Sequence, residues 1–162
     1  MALINLGPAL IEPTLIEEDR MTTMTHDRAS TAAHTPHMAG EAKLGPLASR
    51  YVDVDSLPWQ PTPCAGIQMK VLLKDETTGL MTALFKWEPG ARLPMHEHVE
   101  IEQSWLLEGS LVDDEGECTA GNFVWRPKGN QHYAYAPEGA LVLAMFLRPN
   151  VFIDEFPGQK LA

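Results

Sequence analysis

The sequence predicts an all-β protein built as an antiparallel sandwich or barrel. Three observations carry that prediction. Short apolar segments alternating with polar positions recur from Arg50 onward. Thirteen prolines and twelve glycines punctuate them. No sustained 3.6-residue period competes, and no internal repeat is visible.

The elements follow in order. Residues 1–40 hold no period and are rich in Thr, Ala, His and Met from Met21 to Gly40, so they read as a flexible arm that a partner subunit could order. His26, His34 and His37 sit there, and are expected to be inert. Residues 41–162 form the folded domain. Tyr51–Asp55 alternates, and Pro58, Pro61 and Pro63 make a stiff bend around Trp59. Ile67, Met69, Val71 and Leu73 share one strand face. Asp75–Gly79 reads as a hairpin turn, and Leu80–Trp87 as the returning strand. Further strands are expected near Ile101–Leu107, Leu111–Val112, Asn122–Trp125, His132–Tyr135 and Leu141–Phe146. Turns at Glu108-Gly109, Asp113–Gly116, Thr119–Gly121, Pro127–Asn130 and Pro137–Gly139 separate them.

Composition narrows the function classes. A chain of 162 residues with 44% apolar content fits one packed domain. The formal net charge of −10 and the lack of any basic run argue against a nucleic-acid partner, which needs clustered Lys and Arg. Cys64 and Cys118 cannot staple a domain of this size, and without a C-x-x-C they read as free thiols in a reducing compartment. No apolar run approaches the roughly 20 residues that span a bilayer. Met1–Leu15 lacks a basic start and runs into Glu17, Glu18 and Asp19, a poor export signal. These readings point to the cytoplasm.

Two segments carry the chemistry. The first runs Gly90-Ala-Arg-Leu-Pro-Met-His96-Glu-His98-Val-Glu-Ile-Glu102 and closes at Gly109; the second runs Gly121-Asn-Phe-Val-Trp-Arg-Pro127-Lys-Gly129-Asn-Gln-His132. In a strand, residues two apart share a face, so His96 and His98 project side by side. Imidazole suits Zn, Fe, Ni, Cu and Mn-type ions. Glu97, Glu100 and Glu102 compete to add a carboxylate; Glu97 faces away in a regular strand, and parity alone does not choose between the other two. His132 is the remaining histidine of the folded region, and the Pro127-Lys-Gly129 turn before it would aim its strand.

These segments resemble the two cupin motifs: Gly, five residues, His-x-His, three residues, Glu, six residues, Gly; then Gly, five residues, Pro-x-Gly, two residues, His. Chance agreement at nine positions is on the order of one in 10⁹. The one departure is Ala136, where the second motif often has Asn. The resemblance implies a double-stranded β-helix, the jelly-roll barrel, with a divalent metal held by His96, His98, Glu102 and His132. Trp59-Gln-Pro, Leu107–Gly116 and the Arg-Pro-Lys-Gly129 turn look like the cupins related to ChrR anti-sigma factors, a group that includes proteins similar to acetylacetone and hydroxyacetophenone dioxygenases. No His-x-x-x-Cys-x-x-Cys element is present in this sequence, which argues against an anti-sigma role of the ChrR kind.

That likeness implies an Fe(II) dioxygenase acting on a small β-diketone or hydroxy-ketone with dioxygen as co-substrate; Zn, Ni or Mn could occupy the same ligands. A non-oxidative isomerase or lyase, and a zinc-binding sensory module, are the alternatives. Met81, Phe85, Trp105, Phe123, Trp125, Tyr133, Tyr135 and Phe146 are available for an apolar site wall. Arg92 or Arg126 could steady a substrate oxyanion, and Tyr133 is the remaining catalytic candidate. Exposed sheet edges make a homodimer the expected assembly, which a monomer by light scattering at micromolar concentration would refute.

Overall fold

A computed structural model describes residues 33–155 and Gly158. The first 32 residues of the expected arm, with His26, lie outside the described residues. In chain order the strands are β1 (Ala33–His34), β2 (Gln60–Pro61), β3 (Ile67–Asp75), β4 (Met81–Trp87), β5 (Arg92–Glu97), β6 (Glu102–Val112), β7 (Glu117–Thr119), β8 (Phe123–Arg126), β9 (Gln131–Tyr135), β10 (Ala140–Phe146) and β11 (Val151–Phe152). They join in the order β1-β3-β4-β10-β6-β9-β5-β11, with β2 on β3 and both β7 and β8 on β6. Every pairing is antiparallel. The result is a curled sheet whose two halves face each other, as the all-β pattern predicts.

Strict alternation builds the interior. Met81, Ala83, Phe85 and Trp87 of β4 are buried, as are Ala140, Val142, Ala144 and Phe146 of β10. Phe85 and Phe146 meet edge to face with ring centroids 5.9 Å apart. Outward positions on the neighbouring strands stay open. Trp105, Phe123 and Trp125 are among the exposed large apolar residues, so these three, expected as candidates for a site wall, stand outside the barrel.

Four sequence expectations change. Tyr51–Asp55 forms no strand, and Tyr51 is exposed; alternation without a partner strand does not make a sheet. Residues 33–40, read as arm, include β1 paired to the end of β3, with Thr35 buried and its hydroxyl donating to the Leu72 carbonyl at 2.7 Å. His98 lies just past the end of β5 rather than within a strand. The turn expected at Glu108-Gly109 is instead the middle of one long strand, β6.

That last difference has a physical cause. Opposite Leu141 and Val142 the register slips by one residue, a bulge that bends β6. Before the bulge β6 lies between β10 and β8; after it, β6 pairs with β7 and touches β9 at Val112. One strand thereby serves both halves of the barrel. Gly109 makes the bend possible. It has φ +67°, and a Cβ there would overlap the Gly139 carbonyl oxygen. Gly109→Ala is expected to destabilise the fold by at least about 2 kcal/mol, through backbone strain and overlap together. The corresponding fall in Tm is roughly 5–10 °C. A variant melting within a degree of the parent would contradict this reading of the close approach.

Candidate metal centre

Strand geometry brings the three histidines together. Leu93 and His96 are three apart in β5, so in a regular strand they would face opposite sides. A register shift between them inserts one extra residue, so both are buried on the interior side. Pro94 lies in this bulge, where its missing N–H costs no ladder bond. His96 then stands directly across the ladder from His132 of β9. Backbone bonds hold His98: its N–H donates to the Asn130 carbonyl at 3.0 Å, and its carbonyl accepts from the Gly129 N–H at 2.7 Å. The Pro127–Asn130 turn thus clasps the end of the first motif as well as aiming His132.

All three imidazoles are buried, His98 completely. Their ring centroids lie 4.5 to 5.1 Å apart. One ring nitrogen from each falls within 4.8 Å of the others, a grouping that could hold a metal ion. Each Nδ1 faces an oxygen. His96 Nδ1 is 2.8 Å from the Pro94 carbonyl oxygen. His98 Nδ1 is 3.2 Å from Glu102 Oε2, and His132 Nδ1 is 3.1 Å from Asp113 Oδ2. The Pro94 carbonyl only accepts, so the His96 proton belongs on Nδ1, whereas the Nδ1 atoms of His98 and His132 lie close to their carboxylates without a hydrogen bond.

The residues fit a metal on that ground. His98 Nε2 and His132 Nε2 lie 3.0 Å apart. Two ring nitrogens at that distance repel unless a proton or a cation lies between them. Two donors about 2.1 Å from one ion and at right angles to each other are separated by about 3.0 Å.

Electrostatics keeps His96 and His132 in ligand form. Burial lowers the pKa of His96. Burial, reinforced by the Arg126 charge, pushes His132 down to about 3. For Glu102, burial works against the charge, but the neighbouring His98 and the Asn150 amide outweigh it and hold the carboxyl at about 2.

Of the three competing acids, Glu102 is the one beside the cluster. Glu100 accepts from Lys128 at 2.9 Å and Glu97 from Gln131 at 2.8 Å, both at the surface. Glu102 nevertheless stands outside the three-nitrogen grouping. Its Oε1 accepts from the Ser104 hydroxyl at 2.9 Å and its Oε2 from the Asn150 amide at 2.6 Å, and it backs the Nδ1 side of His98.

The other candidates are placed differently. Arg126 is buried, with its Nη2 2.5 Å from Asp113 Oδ2. Arg92 is exposed and lies over the Tyr135 ring, and the Tyr133 hydroxyl donates to Asp114. Arg92 and Tyr133 share a surface hollow of about 590 Å³ that none of the three histidines lines. The cavity that does reach Glu102 and Ser104 is about 30 Å³, near the volume of one water, and its walls include Phe85, Trp87, Val142 and Phe146. Asp113, Ser104 and Asn150 escaped sequence reasoning. Asp113 heads an Asp-Asp-Glu-Gly turn, and nothing in its spacing distinguishes it from a turn former.

Comparison with known proteins gives the family. The ChrR cupin-like domain matches residues 47–150, more than half of the chain. The chain belongs to the ChrR cupin-like family. Solved structures similar to this ChrR-like cupin include an acetylacetone dioxygenase from Acinetobacter johnsonii, at 24% identity and TM-score 0.62, covering 71% of this chain and 84% of that one. A protein from Methylibium petroleiphilum PM1 proposed to be an acetylacetone dioxygenase aligns at 24% identity and TM-score 0.63, covering 72% and 88%. A chain of the Rhodobacter sphaeroides SigE complex with the anti-sigma ChrR aligns at 19% identity and TM-score 0.50, covering 57% and 50%. At these identities the likeness shows the fold. No curated protein matches this ChrR-like cupin. Among the described residues, no helix is long and apolar enough to cross a membrane.

Proposed function

We propose that this chain is a metal-dependent cupin oxygenase that holds Fe(II) through His96, His98 and His132 and cleaves a small β-diketone or hydroxy-ketone. The observation that carries the metal is the convergence of one ring nitrogen from each of three buried histidines. The motif resemblance makes Glu102 a fourth ligand, and its Oε2 lies 3.2 Å from His98 Nδ1. Two of the similar structures bear on the substrate, one an acetylacetone dioxygenase and one proposed to be so.

Bound Fe(II) supplies Lewis acidity toward a chelating dicarbonyl and a route to dioxygen. The chain's own residues set the conditions for it. Three neutral imidazoles leave the ion its full charge and leave coordination positions open for substrate oxygens. Ser104 and Asn150 fix the Glu102 carboxylate. Phe85, Val142 and Phe146 line the small cavity behind it.

The cavity beside Glu102 and Ser104 is small and is lined by none of the three histidines, which favours a second reading, a zinc-binding module without turnover. Anaerobic reconstitution with Fe(II), followed by oxygen-uptake assays over small diketones and hydroxy-ketones, separates the two. Substrate-dependent uptake of one dioxygen per molecule consumed is expected. Tight zinc retention with no uptake for any compound would reject the oxygenase.

A further inference from the structure

Asp113 is a carboxylate outside both motifs that nevertheless reaches the cluster. It follows Val112, the last residue of β6, and opens the turn to β7. Its two oxygens are divided between two tasks. Oδ1 accepts the N–H groups of Glu115 at 2.8 Å and Gly116 at 3.0 Å. Oδ2 accepts from Arg126 Nη2 at 2.5 Å and lies 3.1 Å from His132 Nδ1, a close contact without a hydrogen bond. The Asp113 N–H also donates to the Gly116 carbonyl at 3.0 Å, closing the turn around the side chain. Its side chain is almost fully buried.

The division matters because it removes the carboxylate's freedom. A carboxylate held at one oxygen by two backbone donors presents its other oxygen in one direction. That direction is the Nδ1 side of His132. Arg126 approaches the same oxygen, so the ion pair stiffens the arrangement further.

We propose that Asp113 is the positioning residue of His132, fixing its Nδ1–H tautomer and ring orientation, and that the β6–β7 turn is the device that holds it. The proposal rests on the metal-centre reading for its purpose but not for its geometry. An imidazole backed by a carboxylate is a better donor through its far nitrogen, and loss of such a partner costs metal sites about 10–100-fold in affinity.

Asp113→Asn tests the idea without removing the turn, because Asn also forms this kind of turn. An amide has one oxygen. The turn's N–H groups claim it, so the NH₂ is left facing His132, a donor where an acceptor stood. Long-range ¹H–¹⁵N NMR of the metal-free full chain reads the tautomer of His132 directly. The parent should carry its proton on Nδ1, and Asp113→Asn should move it to Nε2. Co(II) titration followed by its visible spectrum should show binding about 10–100-fold weaker in the variant.

Arg126→Gln separates positioning from a plain ion pair. It should keep the Nδ1–H tautomer and bind Co(II) within about threefold of the parent, because Asp113 remains. A parent His132 protonated on Nε2 overturns the proposal, as does an Asp113→Asn variant with unchanged tautomer and affinity. Equal losses in the two variants overturn it too, since they would make the pair merely structural. A parent that binds no Co(II) ends the metal-centre reading, while the tautomer measurement still decides the role of Asp113.

Discussion

His98→Ala is expected to abolish stoichiometric metal binding by this chain. His98 is the completely buried member of the three, and its Nε2 lies 3.0 Å from that of His132. Removing a backing partner from a ligand histidine costs about 10–100-fold in affinity, so removing the ligand itself should cost more than about 100-fold. The fold should survive, because backbone bonds from residue 98 to Gly129 and Asn130 do not involve the ring. Glu97→Gln and Glu100→Gln serve as controls. Both carboxylates are engaged at the surface, and neither change should alter binding. Glu102→Gln should fall between, because Glu102 backs His98 from outside the cluster. Isothermal titration with Zn(II) and elemental analysis measure all four. Full-strength, one-to-one binding by His98→Ala would remove the proposed centre.

Acidification should unfold the metal-free protein through a window set by the histidines. In the unfolded chain a histidine takes its proton near pH 6.5. Folded His132 takes one only near pH 3, because burial and Arg126 oppose the charge. Between those values the unfolded state binds a proton that the folded state does not, so stability falls as pH falls. From His132 alone the loss is roughly 2 kcal/mol by pH 5, and on the order of 4 kcal/mol by pH 3. His96 is shifted in the same direction and steepens the slope. Glu102 acts lower down. Its carboxyl is held at about 2 in the folded state, so its contribution is present above its ordinary value of 4.5 and is lost on descent toward 2. Urea unfolding of the metal-free chain at successive pH values gives the curve. Stability flat from pH 6.5 to 4.5 would mean that the imidazoles are solvated and free to protonate. His132→Gln should flatten the upper part of the window.

Much of this was legible in the chain itself. The all-β class follows from alternation that needs no tertiary knowledge: β4 and β10 bury every second residue, as their sequences alternate. The identity of the three histidines was legible too, because turn residues and ligands recur at fixed spacing in the two motifs. Spacing is local information, and the chain states it directly.

Only the tertiary structure decided the rest. The bulge between Leu93 and His96 turns His96 to the interior, a matter of register between β5 and β9 that no single strand encodes. Glu108-Gly109 reads as a turn in sequence, yet β6 passes through it, because Gly109 lets the backbone approach Gly139 and the strand change halves. Trp105 and Trp125 look like core by composition but face outward, since their strands offer their inner faces to Ser104, Leu106 and Arg126. Asp113 reaches His132 across a gap of nineteen positions in the chain, through folding alone. Which histidines are candidates to hold an ion follows from residue type and spacing. What stands behind each ligand follows from which strands pair and where they slip, and pairing energy is shared between segments that neither segment's sequence specifies by itself.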